Sequence, residues 1–376
     1  MDIIIAPDSF KGSLSATEAV EAMDRGIKRC FPHARTIHVP MADGGEGTME
    51  TLVAATAGVI KTVHAIDPLG FEITAEYGIL GDENTCVIEM AKASGLDLVP
   101  KEKLAPLSAT TYGTGQLIKQ ALDDGYTSFI LAIGGSATND GGAGMLQALG
   151  LQLMDDKGKE IGYGGGELHR INRIDLEKFD ERIASCKFVI ASDVENPLIG
   201  TNGASYVFGP QKGADTDDIK ILDNNLTHWA DMVAEVTGVH LHHAPGAGAA
   251  GGIGGAFQAF FPSEMQRGID VVLKYSNFNA YLEQADIVLT GEGKVDHQTA
   301  SGKTPMGVAQ AAKKANIPTI IIAGSVGPGI EALYKYGVVS VNSMINEPME
   351  LGHAIQRASE LLTNATEQIM RTYFYQ

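Results

Sequence analysis

The chain has 376 residues, with 46 Asp or Glu against 28 Lys or Arg, a formal net charge of −18 with the ten histidines counted neutral. So acidic a surface argues against nucleic acid and anionic membranes as partners, and it requires locally basic loops wherever an anionic substrate binds. Hydrophobic residues make up 44% of the chain, ample for large cores, and the length suggests about two or three domains.

Asp2–Ala6 (DIIIA) is a continuous apolar run of the kind a buried parallel strand requires. The polar loop PDSFKGS follows, and Ser15 with Glu18 has the spacing of a capping box. Ala19, Met23 and Ile27 then recur at helical spacing as far as Pro32. A second strand at Thr36–Val39 runs into PMADGGEGT and a helix through Leu52 and Ala55, so the strand, loop and helix design appears twice. From Val59 the pattern changes. Val59–Ile66, Ile73–Leu80 and Thr85–Met90 alternate as antiparallel strands do, with turn residues between them. Thr110–Gly115 opens a helix through Leu117, Ile118 and Leu122.

Phe129–Ile133 (FILAI) leads into Gly134–Gly144, GGSATNDGGAG, and a helical pattern leads out through Met145–Leu151. A plain turn needs one or two glycines, whereas this stretch has five, at 134, 135, 141, 142 and 144. Glycine permits positive φ and close approach of a ligand, and free N–H groups at a helix start attract phosphate, so a phosphate or nucleotide loop is expected. Ser136, Thr138 and Asn139 add side-chain donors, and Asp140 is a candidate magnesium ligand.

Further on, the apolar strand Lys187–Ala191 ends in SDVENPL, FGPQKGA occupies 208–214, and a polar helix covers roughly Thr216–Val236. PGAGAAGGIGG at 245–255 precedes an apolar helix. The last third returns to strands at Ile287–Thr290, Thr319–Ala323 and Val338–Val341, with helices at Pro305–Ala315, Gly329–Tyr336 and Leu351–Tyr373. The expected architecture is α/β, in two domains. One is split between the chain ends (1–66 and 284–376) around a mostly parallel sheet, and the other is an inserted mixed α/β domain (67–283).

Three tempting motifs fail on context. Gly246–Gly251 spells GxGxxG, but HLHHAP precedes it where a buried strand should stand, which disfavours nicotinamide binding. Gly302–Thr304 (GKT) resembles the end of a P-loop, but His297 occupies the position of the required glycine. His242 and His243 lack a third ligand at useful spacing. Cys30, Cys86 and Cys186 lie far apart and form no CxxC pair, which suits a reducing cytoplasm. The opening residues are too acidic and too briefly apolar for a signal peptide, and no run of about 18 apolar residues offers a membrane span.

Five loops share one property, that each follows the C-terminal end of an expected strand, where open α/β sheets bind ligands. They are Asp8–Ser13, Ala42–Thr48, Gly134–Gly144, Ser192–Leu198 and Gly291–Lys303. Their carboxylates, lysines and backbone N–H groups suit phosphoryl transfer, in which catalysis is positioning and charge neutralisation.

These motifs also resemble a known family. IIAPDSFKGSLSA, MADGGEGT, GGSATNDGGAG, SDVENPL, GPQKGA and TGEGKVDHQTASGKTP, in this order over essentially the whole chain, resemble the bacterial glycerate kinases. The resemblance implies transfer of the ATP γ-phosphoryl group, with magnesium, to D-glycerate. It implies two α/β domains with the active site in the cleft between them. The subtype resembled points to 2-phosphoglycerate, with 3-phosphoglycerate as the alternative product. On this reading Lys11 meets the glycerate carboxylate or the transferred phosphoryl, Asp8 joins it, and Asp193 is base or magnesium ligand. Ser9, Asp43, Glu46, Asn196 and Lys294 are expected to bind the substrate. Gly134, Gly135, Ser136, Thr138, Asn139, Gly141 and Gly142 are expected to bind ATP, and Asp140 and Asp296 to hold the metal. The rival classes are a nicotinamide-dependent hydroxy-acid oxidoreductase, which GAGAAG would serve, and a non-catalytic sensor of a small acid. Partners beyond the small molecules are not expected, and a homodimer is one open option.

Overall fold

The computed structural model describes residues 1–297, 299 and 302–374. Gln298, Ala300 and Ser301 of the expected loop Gly291–Lys303 lie outside the described residues. The chain packs as two compact units, one of residues 1–43, 54–56 and 269–376, the other of 44–53 and 57–268.

The first unit is built on a five-stranded sheet in the order Val338–Ser343, Thr319–Val326, Ile287–Val295, Asp2–Ile5, Arg35–His38. Every pairing is parallel. Ile3 and Ile5 pack with Leu289, Ile320 and Ile322 against the helices Ala16–Cys30 and Ala358–Tyr373. Burial of such side chains contributes roughly 1.5–3 kcal/mol each. The helix Ala16–Cys30 starts where the capping box was expected. Ser15 and Glu18 satisfy each other's orphan backbone N–H groups, and Ala19, Met23 and Ile27 are buried. Gly26 lets the two helices meet, because a Cβ there would stand 2.4 Å from the Thr363 carbonyl oxygen. The expected helix Gly329–Tyr336 is instead a 3₁₀ stretch, Ile330–Tyr336, enclosed by left-handed Gly329 and Gly337. The expected long terminal helix is broken at Arg357 into Leu351–Gln356 and Ala358–Tyr373.

The second unit has a six-stranded sheet in the order Ser263–Gln266, Lys187–Ala191, Ser128–Ala132, Thr85–Glu89, Glu72–Ile79, Val59–Ile66. The first four run parallel and the last two are added antiparallel. Thr85–Glu89 therefore joins both kinds of pairing, which its complete burial explains, since a strand covered on both faces reads as continuous rather than alternating. Val59–Ile66 pairs along its whole length with Glu72–Ile79 and so belongs to this sheet. Phe129, Phe188, Phe257 and Phe261 form the aromatic centre of its core. Register aligns Glu89, Ala132, Ala191 and Gln266 in one row, so the chain leaves four parallel strands at one level. The polar helix spans Thr216–Thr237, begins at a capping box made by Asp215 and Asp218, and ends at left-handed Gly238.

Candidate active site

In the first unit the strand Asp2–Ile5 delivers Asp8 to the C-terminal edge of its sheet. The Asp8 amide donates to the Gly291 carbonyl at 2.8 Å, which ties this loop to the end of Ile287–Val295. Asp8 is buried, and its two carboxylate oxygens accept from the Ser9 amide and the Thr304 hydroxyl, each at 2.6 Å. Burial first, and then the charge of Asp43, push its carboxyl well above the ordinary range, with Glu292 adding to the repulsion. Three acids from three separate loops thus share one electrostatic neighbourhood.

Glu292 escaped the reading of the sequence. It is 8% exposed, accepts from the Thr299 hydroxyl at 2.6 Å, and has Lys303 Nζ 3.9 Å away. Burial raises its carboxyl, while Thr299 and Lys303 oppose the rise. Its signal is its place, two residues beyond Thr290 at the end of an apolar run. Asp296, expected to hold the metal, is buried and ion-paired to Lys294 at 3.0 Å. That pairing also accounts for Lys294, expected to meet substrate. Lys11 is exposed and Ser9 half-buried.

In the second unit the row of strand ends gathers another set of loops. Gly44 sits here at φ +87°, and a Cβ on it would stand 3.0 Å from the Ala191 carbonyl oxygen and 3.1 Å from Gly268 Cα. Gly134 is equally close to Gly45, with its amide 3.4 Å from the Gly44 carbonyl. Asp193 follows Ala191 and Ser192, is exposed, and accepts from the Gly268 amide at 3.2 Å. Glu46 is exposed on the same loop as Gly44. Asn196 donates to the Asn202 carbonyl at 2.8 Å, a bond that shapes its own loop. Glu89, also missed from sequence, is buried at the end of its strand and accepts from the Met49 amide at 2.7 Å, at the start of the helix Thr48–Ala55. Burial, and next the charge of Glu50, push Glu89 up to about 7.

The glycine-rich stretch 134–144 divides into two parts. Gly134 and Gly135 reach solvent and Ser136 lies at the rim, while Thr138–Gly142 are fully enclosed. Asp140 does not have the surroundings of a metal ligand. Its carboxylate takes four donors, the Thr111 amide and hydroxyl and the Gly142 and Gly144 amides, at 2.8–3.3 Å. Gly141 and Gly142 likewise serve packing. A Cβ on Gly141 would meet Trp229 at 2.6 Å and one on Gly142 would meet Ala256 at 2.5 Å, and Trp229 Nε1 donates to the Gly141 carbonyl. Asn139 donates to the Ser205 hydroxyl inside the fold. The part of the stretch that reaches the surface is therefore Gly134 and Gly135, with Ser136 at their rim.

Under this loop lies Lys212, 1% exposed, from the GPQKGA motif. Its Nζ donates to Ser136 Oγ at 2.8 Å and to the Thr138 carbonyl at 2.5 Å. Burial pushes its ammonium down to about 7, against the charge of Asp140. Lysine is rarely buried, so composition gave no reason to place it inside. GAGAAG follows no strand. A Cβ on Gly251 would stand 2.0 Å from the Thr138 carbonyl oxygen, and one on Gly248 would stand 2.1 Å from the Pro197 carbonyl oxygen. These glycines admit neighbouring backbone, and the dinucleotide fingerprint is absent. His242 pairs with Asp231 at 3.1 Å. Among the described residues no group of three or more His, Cys, Asp or Glu is arranged to hold a metal, and no helix is long and apolar enough to cross a membrane.

Residues 3–374 match the family described as the glycerate kinase family. A protein of Escherichia coli K12 named glycerate 2-kinase is 47% identical over 372 residues, covering 99% of this chain and 98% of that one. A glycerate kinase of Halalkalibacterium halodurans is 49% identical over 367 residues, covering 98% and 97%. A crystal structure from Salmonella typhimurium LT2, assigned as glycerate kinase 2, superposes with a TM-score of 0.88 at 46% identity over 99% of this chain and 98% of that one. A match over nearly the whole length, with the motifs in their expected order, leaves one conclusion: the chain belongs to the glycerate kinase family.

Proposed function

We propose that this enzyme transfers the γ-phosphoryl group of ATP to D-glycerate and yields 2-phosphoglycerate. Membership of the family carries the reaction class, and the relative named glycerate 2-kinase supports the position. The observation in the fold that speaks most directly for phosphoryl transfer is the pair of buried acids Asp8 and Glu292, with half-buried Asp43 acting on both, at a sheet's C-terminal edge beside Lys303. The nicotinamide reading has lost its motif to packing, and membership of a kinase family favours catalysis over the sensor.

Roles are assigned within each unit. In the first, magnesium fits Asp8 together with Asp43 or Glu292, because the charges of Asp43 and Glu292 push the buried Asp8 carboxyl up, and a cation beside them would relieve that repulsion. Magnesium asks for one or two carboxylates, the remainder being water and phosphate oxygens. When bound, it neutralises charge on the transferred phosphate. Lys11, exposed on the Asp8 loop, is assigned to the glycerate carboxylate or the phosphoryl group, with Ser9 beside it. In the second unit, Asp193 is assigned as the base that accepts the proton of the substrate hydroxyl, oriented by the Gly268 amide. Gly134, Gly135 and Ser136 are assigned to nucleotide phosphate, with the Gly135 amide and the Ser136 amide and hydroxyl as donors and Gly134 allowing the close approach. The free thiols of Cys30, Cys86 and Cys186 suit a cytoplasmic setting.

The test is ADP release with glycerate and magnesium, followed by phosphorus NMR of the product. The expected result is glycerate-dependent ADP formation and a resonance for phosphate on C2. Phosphate on C3 would refute the position, and absence of glycerate-dependent ADP would refute the reaction.

A further inference from the structure

We propose that Lys212 is a positioning residue that acts through Ser136. By donating to Ser136 Oγ, the enclosed ammonium turns the serine's own O–H outward, as a donor to an anionic oxygen of a bound substrate. The inference rests on the reading that 134–136 contacts substrate.

The geometry is specific about direction. An ammonium has three N–H donors and no acceptor. Its contact with Ser136 Oγ at 2.8 Å therefore uses an acceptor lone pair of the hydroxyl and leaves the serine proton for another partner. That contact is the one side-chain hydrogen bond of Ser136 among the described residues. The serine lies at 6% exposure directly after exposed Gly135, so the proton's remaining directions include the solvent side. A hydroxyl that accepts from a cation is also a stronger donor, because hydrogen bonds in a chain polarise one another.

Lys212 is fixed from behind as well. Its second bond, to the Thr138 carbonyl, spans the middle of the loop, and the next residue, Gly213, turns at φ +92°. Asp140, itself buried and held by four donors, supplies the opposing charge. In its protonated form the lysine thus carries positive potential to the underside of the rim without entering the substrate's space, where a surface lysine would be hydrated and mobile.

Nucleotide phosphate and glycerate carboxylate offer the same acceptor chemistry, and kinetics separates them. The variants are S136A, K212M and the double variant S136A/K212M, each with KM measured for ATP and for glycerate beside kcat, and with Tm. We expect S136A to raise KM for one substrate roughly tenfold or more, the loss of a hydrogen bond to a charged group. The substrate affected identifies the acceptor. K212M should raise the same KM, and the double variant should be no worse than the poorer single variant. Additive losses would overturn the proposal, as would unchanged KM values with only Tm lowered. If K212M does not fold, K212Q replaces it, and full activity of K212Q with S136A impaired would equally overturn the role of the charge. Wild-type enzyme without glycerate-dependent ADP release would instead remove the proposed function, so the two failures are distinguishable.

Discussion

At the scale of single residues, Asp193 and Glu89 are acids at strand ends with opposite surroundings. Asp193 is exposed on the strand-end loop after Ala191, with one oxygen bound by an amide. Asp193→Asn keeps that acceptor and loses the basic carboxylate, so kcat is expected to fall about 10²-fold or more while Tm stays unchanged. Steady-state rates and a thermal melt of the same preparation check this. Glu89 is the opposite case. Its folded value of about 7 lies above the ordinary 4.5. Between those values the folded chain holds a proton that the unfolded chain releases, so the contribution is fully present below about 4.5 and is lost as pH rises through 7. Glu89→Gln keeps an acceptor for the Met49 amide and removes the titration. Relative to wild type it should match at pH 4 and be more stable by ~1–3 kcal/mol at pH 8, as urea unfolding at both values would show. An equal difference at both pH values would rule out the titration as the cause.

At the scale of elements, the strands were legible because buried parallel strands are continuous apolar runs, and DIIIA, FILAI and KFVIA read as nothing else. The loops after them were legible for the same reason. What the glycines do was not. Composition states that a Cβ is missing but not whether a ligand or another piece of backbone excludes it. For Gly141 the excluding neighbour is Trp229, and for Gly251 it is the Thr138 carbonyl, both distant in sequence. Lys212 was unreadable on similar grounds, since its acceptors come from a loop some seventy residues away, by |i−j| of 76 and 74. Glu292 and Glu89 stand at strand ends, where a glutamate is usually exposed, and only the packed fold shows that both are buried. Two glycines with the same φ of +73° separate packing from backbone preference, Gly251 facing the Thr138 carbonyl and Gly238 facing open space. Gly238→Ala should cost about 1 kcal/mol for its left-handed backbone. Gly251→Ala should cost clearly more and, because the contact braces the loop of Asn139, should also lower kcat. Denaturation midpoints and rates for both variants decide it, and equal costs would show that the close approach relaxes freely.

At the scale of the whole molecule, the return of α/β alternation in the last third led to the expectation of a domain split between the chain ends. The chain leaves the first unit after Asp43 and returns at Ile269, whereas the change of pattern suggested residues 66 and 284. The helix Thr48–Ala55 is divided between the units, which hydrophobic periodicity does not signal. The hydrophobic clusters are separate, one around Phe129 and Phe188, another around Ile3 and Leu289. Two cores predict departure from two-state unfolding, with a calorimetric enthalpy larger than the van't Hoff value. A ratio of one in scanning calorimetry would show that the units melt together.

Trp229 is the sole tryptophan of the chain, and its indole N–H is bonded to the Gly141 carbonyl. The one indole of the chain thus lies under the glycine stretch. Ultraviolet emission excited at the indole band has a single origin, with no background to subtract from other indoles. A nucleotide that shifts the strain of this stretch on docking would register in colour and yield, without a label and without waiting for turnover.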